Sequence, residues 1–172
     1  MNMSRRNLRG TAKNDFAAAR PAQDLQVALM SYAANFLDGA NEPDGLGSQP
    51  SSGLKAMDPA VLFDTALGMA CSIDNGQAGQ LWEGGSNAMK QVLCRDRFSE
   101  AIVLARDTLG VALSRDWTAI HRQYNADGLP CGQYVSVEFL TYFSRGRTVP
   151  ETVLFRLDDD RVWRFAAYAV RA

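Results

Sequence analysis

The 172-residue chain is long enough for one domain with an extension, and 47% of its residues are hydrophobic, as in an ordinary globular protein. Its 18 basic and 19 acidic residues leave a net charge of -1, which excludes a general attraction to nucleic acid or to an anionic membrane. With a single histidine and three cysteines that form no CxxC pair, neither a histidine-rich metal site nor a zinc knuckle is expected.

The first part of the chain divides into a leader, an extra helix and a linker. Residues 1–21 predict a flexible basic leader, in which Ser4-Arg5-Arg6 loosely resembles a twin-arginine export signal. Charged residues interrupt the apolar stretch that such a signal requires, which favours a cytoplasmic protein over an exported one. Residues 22–57 predict the extra helix and, from residue 39, a linker rich in Gly, Pro and Ser.

Residues 22–38 predict an amphipathic helix. Its large apolar side chains recur on one face at helical spacing, and we call them the apolar stripe: Leu25, Leu29, Tyr32 and Phe36. A broad apolar face must be covered. The stripe either packs back onto its own domain or forms the interaction surface for a protein partner or a second copy, and both alternatives remain open.

Residues 58–172 open with a set of helices. Asp58-Pro59 is typical of a helix start, and the helix that follows is apolar on nearly every side, so we expect it to be central and buried together with Cys71. Asn75-Gly76 ends it. Two short helical segments follow, and an amphipathic helix spans 96–109 and ends at Gly110.

Strands take over after the helices. Alternating side chains and turn residues predict strands at 112–124, 133–144, 149–157 and 161–170. Hairpin turns are predicted at 144–147 and at 158–160. Helices first and a meandering antiparallel sheet last indicate an α+β domain, with the helices packed against a four-stranded sheet.

Short motifs succeed one another within this domain: Arg106-Asp107-Thr108-Leu109-Gly110, Ser114-Arg115, Leu129-Pro130-Cys131-Gly132-Gln133-Tyr134, Glu151-Thr152 and Trp163-Arg164-Phe165-Ala166-Ala167-Tyr168. Their order and spacing resemble a family of small bacterial domains known as domain of unknown function 4019. The resemblance covers about residues 58–170. It implies a curved, cone-shaped sheet wrapped around helices, as in the nuclear-transport-factor-two-like and cystatin-like folds, and self-association through the sheet. It implies no catalytic residues.

The motif residues have structural roles in this interpretation. Gly110 permits a tight turn from helix to strand. Arg106 and Arg115 are expected to fix the junction between helix and sheet through hydrogen bonds to backbone carbonyls or to Glu151. The remaining motif residues supply large packing surfaces with a polar edge, and they are Trp163 and Tyr168.

One arrangement of side chains suggests proton transfer. The single histidine, His121, lies on the first predicted strand, and Glu138 and Arg156 could lie across neighbouring strands on the same face, with Tyr142 nearby. The alternative is a solvent-facing sheet surface with a cross-strand salt bridge, and we favour it. We therefore expect no catalytic residue, no cofactor and no metal, and Asp158-Asp159-Asp160 is interpreted as a polar turn.

Function is predicted only by class. The sequence favours a non-catalytic binding or protein-interaction module of bacterial origin, such as an adaptor, an immunity-type protein or a secretion accessory. The alternative is a small-molecule enzyme with a His/Glu site inside the cone. An open, polar-lined pocket would favour the enzyme, whereas an interior filled with Leu, Phe and Met would favour the interaction module.

Overall fold

A computed structural model describes residues 58–125 and 129–171. The predicted leader, extra helix and linker over residues 1–57 lie outside the described residues, and so does the apolar stripe. In the described part of the chain, no helix is both long enough and apolar enough to cross a membrane.

Four helices precede the sheet: α1 (Pro59–Asp74), α2 (Ala78–Glu83), α3 (Asn87–Val92) and α4 (Arg95–Arg106). The predicted start of α1 is confirmed, because the Asp58 carboxylate accepts a hydrogen bond from the Ala60 amide at 2.9 Å and Pro59 occupies the first helical position. Its predicted end is confirmed too, with Asn75 as the cap and Gly76 at a φ of 72°.

Two details of the predicted helices are wrong. Helix α1 is not buried all round: Leu62, Ala66, Ala70 and Ile73 form one buried stripe, whereas Val61 and Cys71 are exposed. The reason is that α1 packs on the sheet along this stripe, which leaves its opposite side uncovered. Helix α4 ends at Arg106, three residues before the predicted end, and a turn carries the buried Leu109.

Four antiparallel strands follow in the order in which they occur along the chain: β1 (Ala112–Tyr124), β2 (Gln133–Phe143), β3 (Thr148–Leu157) and β4 (Trp163–Val170). These bounds differ from the predicted strands by at most two residues. The α+β class and the antiparallel meander are therefore confirmed. The sheet is open, and among the described strands β1 and β4 form its two edges.

The sheet has two faces with different neighbours. Its inner face packs against the helices, and the shared core contains Leu62, Phe98, Phe139, Phe155 and Phe165. Its outer face carries the alternate side chains, including a second buried cluster of Tyr134, Leu154, Ala166 and Ala167. Aromatic rings fill the inner face, and Phe98 meets Phe165 edge to face with 5.7 Å between ring centres.

Gly110 forms the turn between α4 and β1 at a φ of 82°, which an L side chain rarely adopts. A Cβ atom there would lie 2.5 Å from Ser144 Oγ, the atom that accepts a hydrogen bond from the Val111 amide. The predicted tight turn is thus confirmed, and the close approach of the β2–β3 hairpin adds a second reason for glycine.

We expect Gly110→Ala to lower the free energy of unfolding by about 1–3 kcal/mol, because it combines backbone strain with a steric clash. Chemical denaturation monitored by circular dichroism measures this loss. Gly68→Ala is the matched control: Gly68 lies inside α1 with nothing within 4 Å of the added Cβ. It should stabilise the chain by about 0.5–1 kcal/mol. Equal effects of the two substitutions would contradict the prediction.

Candidate functional site

A buried carboxylate, that of Glu151, joins all four strands on the inner face. Glu151 on β3 is fully buried and accepts hydrogen bonds from Arg115 on β1, with 2.5 Å from Nε to Oε2 and 3.1 Å from Nη2 to Oε1. Thr141 on β2 donates to Oε2 at 2.6 Å, and Tyr168 on β4 donates its hydroxyl to Oε1 at 2.5 Å. Four hydrogen bonds thus satisfy one buried carboxylate.

The same network continues into the helices through Asp74, the last residue of α1. Arg115 donates from Nη1 to Asp74 Oδ2 at 2.7 Å and from Nη2 to Oδ1 at 3.0 Å, and Arg106 at the end of α4 forms an ion pair with Asp74 as well. The Arg106 guanidinium carbon lies 5.2 Å from the centre of the Phe143 ring. Two arginines and two carboxylates therefore connect α1, α4, β1 and β3, and we call these four side chains with Thr141 and Tyr168 the Glu151 network.

The environment sets the protonation of this network. Burial lowers the pKa of Arg115, but hydrogen bonds to Asp74 and Glu151 outweigh it, and the pKa lies above its usual range. Burial, reinforced by the charge of Glu151, raises the pKa of Tyr168 well above its usual range. Arg115 therefore stays charged, and the Tyr168 hydroxyl keeps the proton that it donates.

A second network surrounds Asp158, directly after β3. Its buried carboxylate accepts hydrogen bonds from Ser86 Oγ at 2.7 Å, from the Asn87 amide at 3.2 Å, from Arg156 at 2.8 Å and from Arg164 at 3.3 Å. Ser86 in turn is the N-cap of α3. We call this set the Asp158 network, and it ties the start of α3 to the β3–β4 hairpin.

Hydrogen bonds also explain the acidity of the predicted polar turn. Burial raises the pKa of Asp158, but the hydrogen bonds from Ser86, Asn87 and Arg156 outweigh it, so the pKa lies below its usual range. A hydrogen bond from Arg164 lowers the pKa of Asp160. The hairpin turn is confirmed, and within residues 58–125 and 129–171 no group of three His, Cys, Asp or Glu side chains is arranged to hold a metal ion.

The residues of the suggested proton-transfer site come together only in part. His121 Nε2 lies 3.7 Å from Glu138 Oε1 on the outer face, and 41% of the His121 side chain is exposed. Arg156 does not join them: β2 pairs Glu138 with Thr152 and Tyr134 with Arg156, and the guanidinium binds Asp158 and the Cys131 carbonyl. Tyr142 lies farther along β2, opposite Ser114 and Thr148, and is exposed.

A shallow cleft of about 250 Å³ lies where α1, α4 and the start of β1 meet. Apolar side chains form most of its wall, namely Ile73, Ile102, Val103, Val111 and Ala112. Its charged members include Asp74 and Arg106, which are paired with each other. Asp107 is the other charged residue of the wall.

Residues 65–168 match the sequence family described as a protein of unknown function, DUF4019. The chain belongs to the DUF4019 family. The resemblance to this family predicted from the motifs is therefore confirmed, and the matched range falls within the predicted domain of residues 58–172. No curated protein matches the chain.

In this DUF4019 domain, Arg106, Arg115, Glu151 and Tyr168 belong to the Glu151 network. Trp163 instead packs against the hydrophobic core, and Gly110 forms the turn before β1. The predicted hydrogen bonding of Arg115 to Glu151 is confirmed, whereas Arg106 binds Asp74 and Tyr168 adds a donor to Glu151. Sequence reasoning missed Asp74 and Thr141. Asp74 is the last residue of an apolar helix, where its negative charge is unfavourable beside the negative end of the helix dipole. This position is the signal that could have indicated a cationic partner.

Proposed function

We propose that the chain is a non-catalytic protein-interaction module, an adaptor, immunity-type protein or secretion accessory of a bacterial cytoplasm. One observation carries the proposal: apolar side chains that are each more than half exposed lie on the edge strand β1 and on the α4 segment that leads into it. We call them the apolar edge, and they are Val103, Val111, Leu113 and Trp117. Exposed apolar side chains grouped in this way are typical of protein-binding surfaces.

The backbone of β1 supports the same function. Strand β1 pairs with β2 on one side and with no described strand on the other, and an edge of this kind can accept an added strand. A partner that supplies an extended segment would gain backbone hydrogen bonds from β1 and apolar contacts from Leu113 and Trp117. A second copy of the chain would satisfy the same requirements.

The interior favours the module over an enzyme. Phenylalanine rings and aliphatic side chains fill the inner face, and the charged side chains there are bound to one another in the Glu151 network. We also propose that the domain is a cone of the nuclear-transport-factor-two-like or cystatin-like type. It is supported by helices that pack on one face of an open, four-stranded meander.

The test replaces two residues of the apolar edge, Leu113→Lys with Trp117→Lys, in the full chain. Affinity capture from the source organism and mass determination by light scattering should show loss of the bound partner or of the dimer. The fold should be preserved by circular dichroism, although Trp117→Lys also removes an aromatic contact with Phe63. Val92→Lys is the control, because Val92 is equally exposed on α3. Retention of the partner and of the dimer by the Lys variant would contradict the proposal.

The enzyme alternative has its own test in the same experiment. His121→Gln should leave capture unaffected because His121 is half-exposed on the outer face. A measured turnover that disappears in the His121→Gln variant while the fold is preserved would replace the module with a small-molecule enzyme.

A further inference from the structure

The outer face of the sheet is buried across its middle. Ser136, Leu154 and Ala167 lie side by side on β2, β3 and β4 and are 0%, 2% and 3% exposed. In the next row, Thr152 and Ala169 pair with each other and are almost as buried, at 6% and 7%. Serine, threonine and alanine side chains are too small to shield one another, or Leu154, from water on a bare sheet face. We call these five residues the outer strip.

Described residues account for only one end of this burial. Leu129 packs against the cluster of Tyr134 and Leu154, and the Tyr134 hydroxyl donates to the Pro130 carbonyl at 2.6 Å. The Thr152 row lies four residues farther along β2, which is roughly 13 Å at about 3.3 Å per residue. In the described part of the chain, the helices share their core with the opposite, inner face. The outer strip therefore requires another cover.

The chemistry of that cover can be inferred from Ser136. Its Oγ is buried and has no hydrogen-bond partner among the described residues. A hydroxyl that faced water would be both exposed and hydrated, and a polar cover would supply a donor or an acceptor. The group that lies over Ser136 is therefore apolar.

We infer that residues 22–38 of the same chain pack on the outer strip through their apolar stripe. A helix over this range is about 25 Å long at 1.5 Å per residue, which is enough to cross the rows from Tyr134 to Thr152. Ser136, Ala167 and Ala169 form a shallow floor on which large side chains such as Leu29 and Phe36 fit. The smaller side chains let a helix approach the sheet closely.

The connection supports an occupant from the same chain. Residues 39–57 span up to about 60 Å when extended, far more than the roughly 10 Å between the two layers of the domain, so the segment can pass from the start of α1 to the other side of the sheet. A tethered helix also has a high effective concentration at this surface, which a separate molecule lacks. This contact is independent of the apolar edge.

The experiment measures how fast a thiol on the outer strip reacts in the full chain. Cys71, Cys94 and Cys131 are exposed and free, and each is replaced by Ser. Ser136→Cys then serves as the reporter for maleimide labelling. We expect slow labelling, and Leu29→Ser with Phe36→Ser should accelerate it by on the order of tenfold or more, because the cover opens.

Two controls separate this opening from general loosening. Gln23→Ala with Ser31→Ala changes residues of the same segment that lie off the stripe, and labelling should stay slow. Val137→Cys places the reporter on the inner face, where Val137 is fully buried, and the stripe substitutions should leave its labelling slow. If the stripe substitutions speed up the labelling of both reporters, the milder Leu29→Ala is used instead. It must then speed up the labelling of Ser136→Cys and leave that of Val137→Cys slow.

The mass of the protein in solution, monomer or dimer, shows whether the cover comes from the same chain or from a second copy. Protection that persists in a monomer on dilution supports packing within one chain. Protection that falls on dilution of a dimer assigns the cover to a second copy and overturns the inference. Fast labelling of Ser136→Cys with the stripe intact, or slow labelling that the stripe substitutions leave unchanged, overturns it as well.

Discussion

Replacement of Glu151 by Ala is expected to lower the free energy of unfolding by about 3–5 kcal/mol, which is the range for removing one partner of a buried ion pair. The substitution leaves the arginine Arg115, 92% of whose side chain is shielded from water, with Asp74 as its remaining carboxylate partner. It also removes the acceptor for Thr141 and Tyr168 on the neighbouring strands. Urea denaturation monitored by tryptophan fluorescence measures the loss.

The matched control is Glu83→Ala. Glu83 forms an ion pair with Arg95 at 3.1 Å, but both side chains are more than half exposed. Water screens such a pair, so the substitution should change the unfolding free energy by less than about 1 kcal/mol. Similar losses for Glu151→Ala and Glu83→Ala would show that the Glu151 network contributes no more than an ordinary surface pair.

A double substitution tests whether the network acts as a unit. Arg115→Met with Glu151→Met removes both charges and fills part of their volume with apolar groups. We expect it to cost less than the sum of the two single substitutions. Each single variant keeps one buried charge of the Arg115–Glu151 pair without that partner, whereas the double variant keeps neither charge. Additive losses would mean that Arg115 and Glu151 stabilise the fold through separate contacts.

The strands could be predicted closely from the sequence because two local signals agree. On β2, Val135, Val137 and Phe139 alternate with outer-face residues, and turn residues bound the strand at both ends. The ends of the helices could be predicted less accurately from the sequence. Leu109 continues the apolar spacing of α4 and is buried, yet the helix ends at Arg106, because a tight turn can carry the same spacing forward.

The networks could be predicted only in part, for a physical reason. An arginine and a glutamate in separate motifs indicate an ion pair, and this was sufficient for Arg115 and Glu151. The contribution of Thr141 depends on the register between β2 and β3, and that of Asp74 depends on how α1 docks against β1. Neither property is encoded in a local pattern. The same holds for Arg156, whose binding to Asp158 takes it away from Glu138.

The three consecutive aspartates of the β3–β4 turn are expected to differ sharply when each is replaced by Ala. Asp158→Ala should lower the free energy of unfolding by about 3 kcal/mol, because it leaves Arg156 without its carboxylate partner and removes the acceptor for Ser86 and the Asn87 amide. Asp159→Ala should change it by less than about 0.5 kcal/mol, since Asp159 is exposed. Asp160→Ala removes an exposed ion pair with Arg164. Because water screens that pair, the free energy of unfolding should change little.

The contribution of Asp158 should also appear in the pH dependence of stability. Because the folded-state pKa of Asp158 is lowered, its stabilising contribution is fully present above the unfolded value of about 3.9 and is lost as the pH falls through the folded value. The wild-type thermal midpoint should therefore fall as the pH is lowered below about 4, and the Asp158→Ala variant should fall less steeply over that range. Parallel curves for the two proteins, with Asp159→Ala as the reference, would rule out Asp158 as the carboxylate that holds the β3–β4 turn to helix α3.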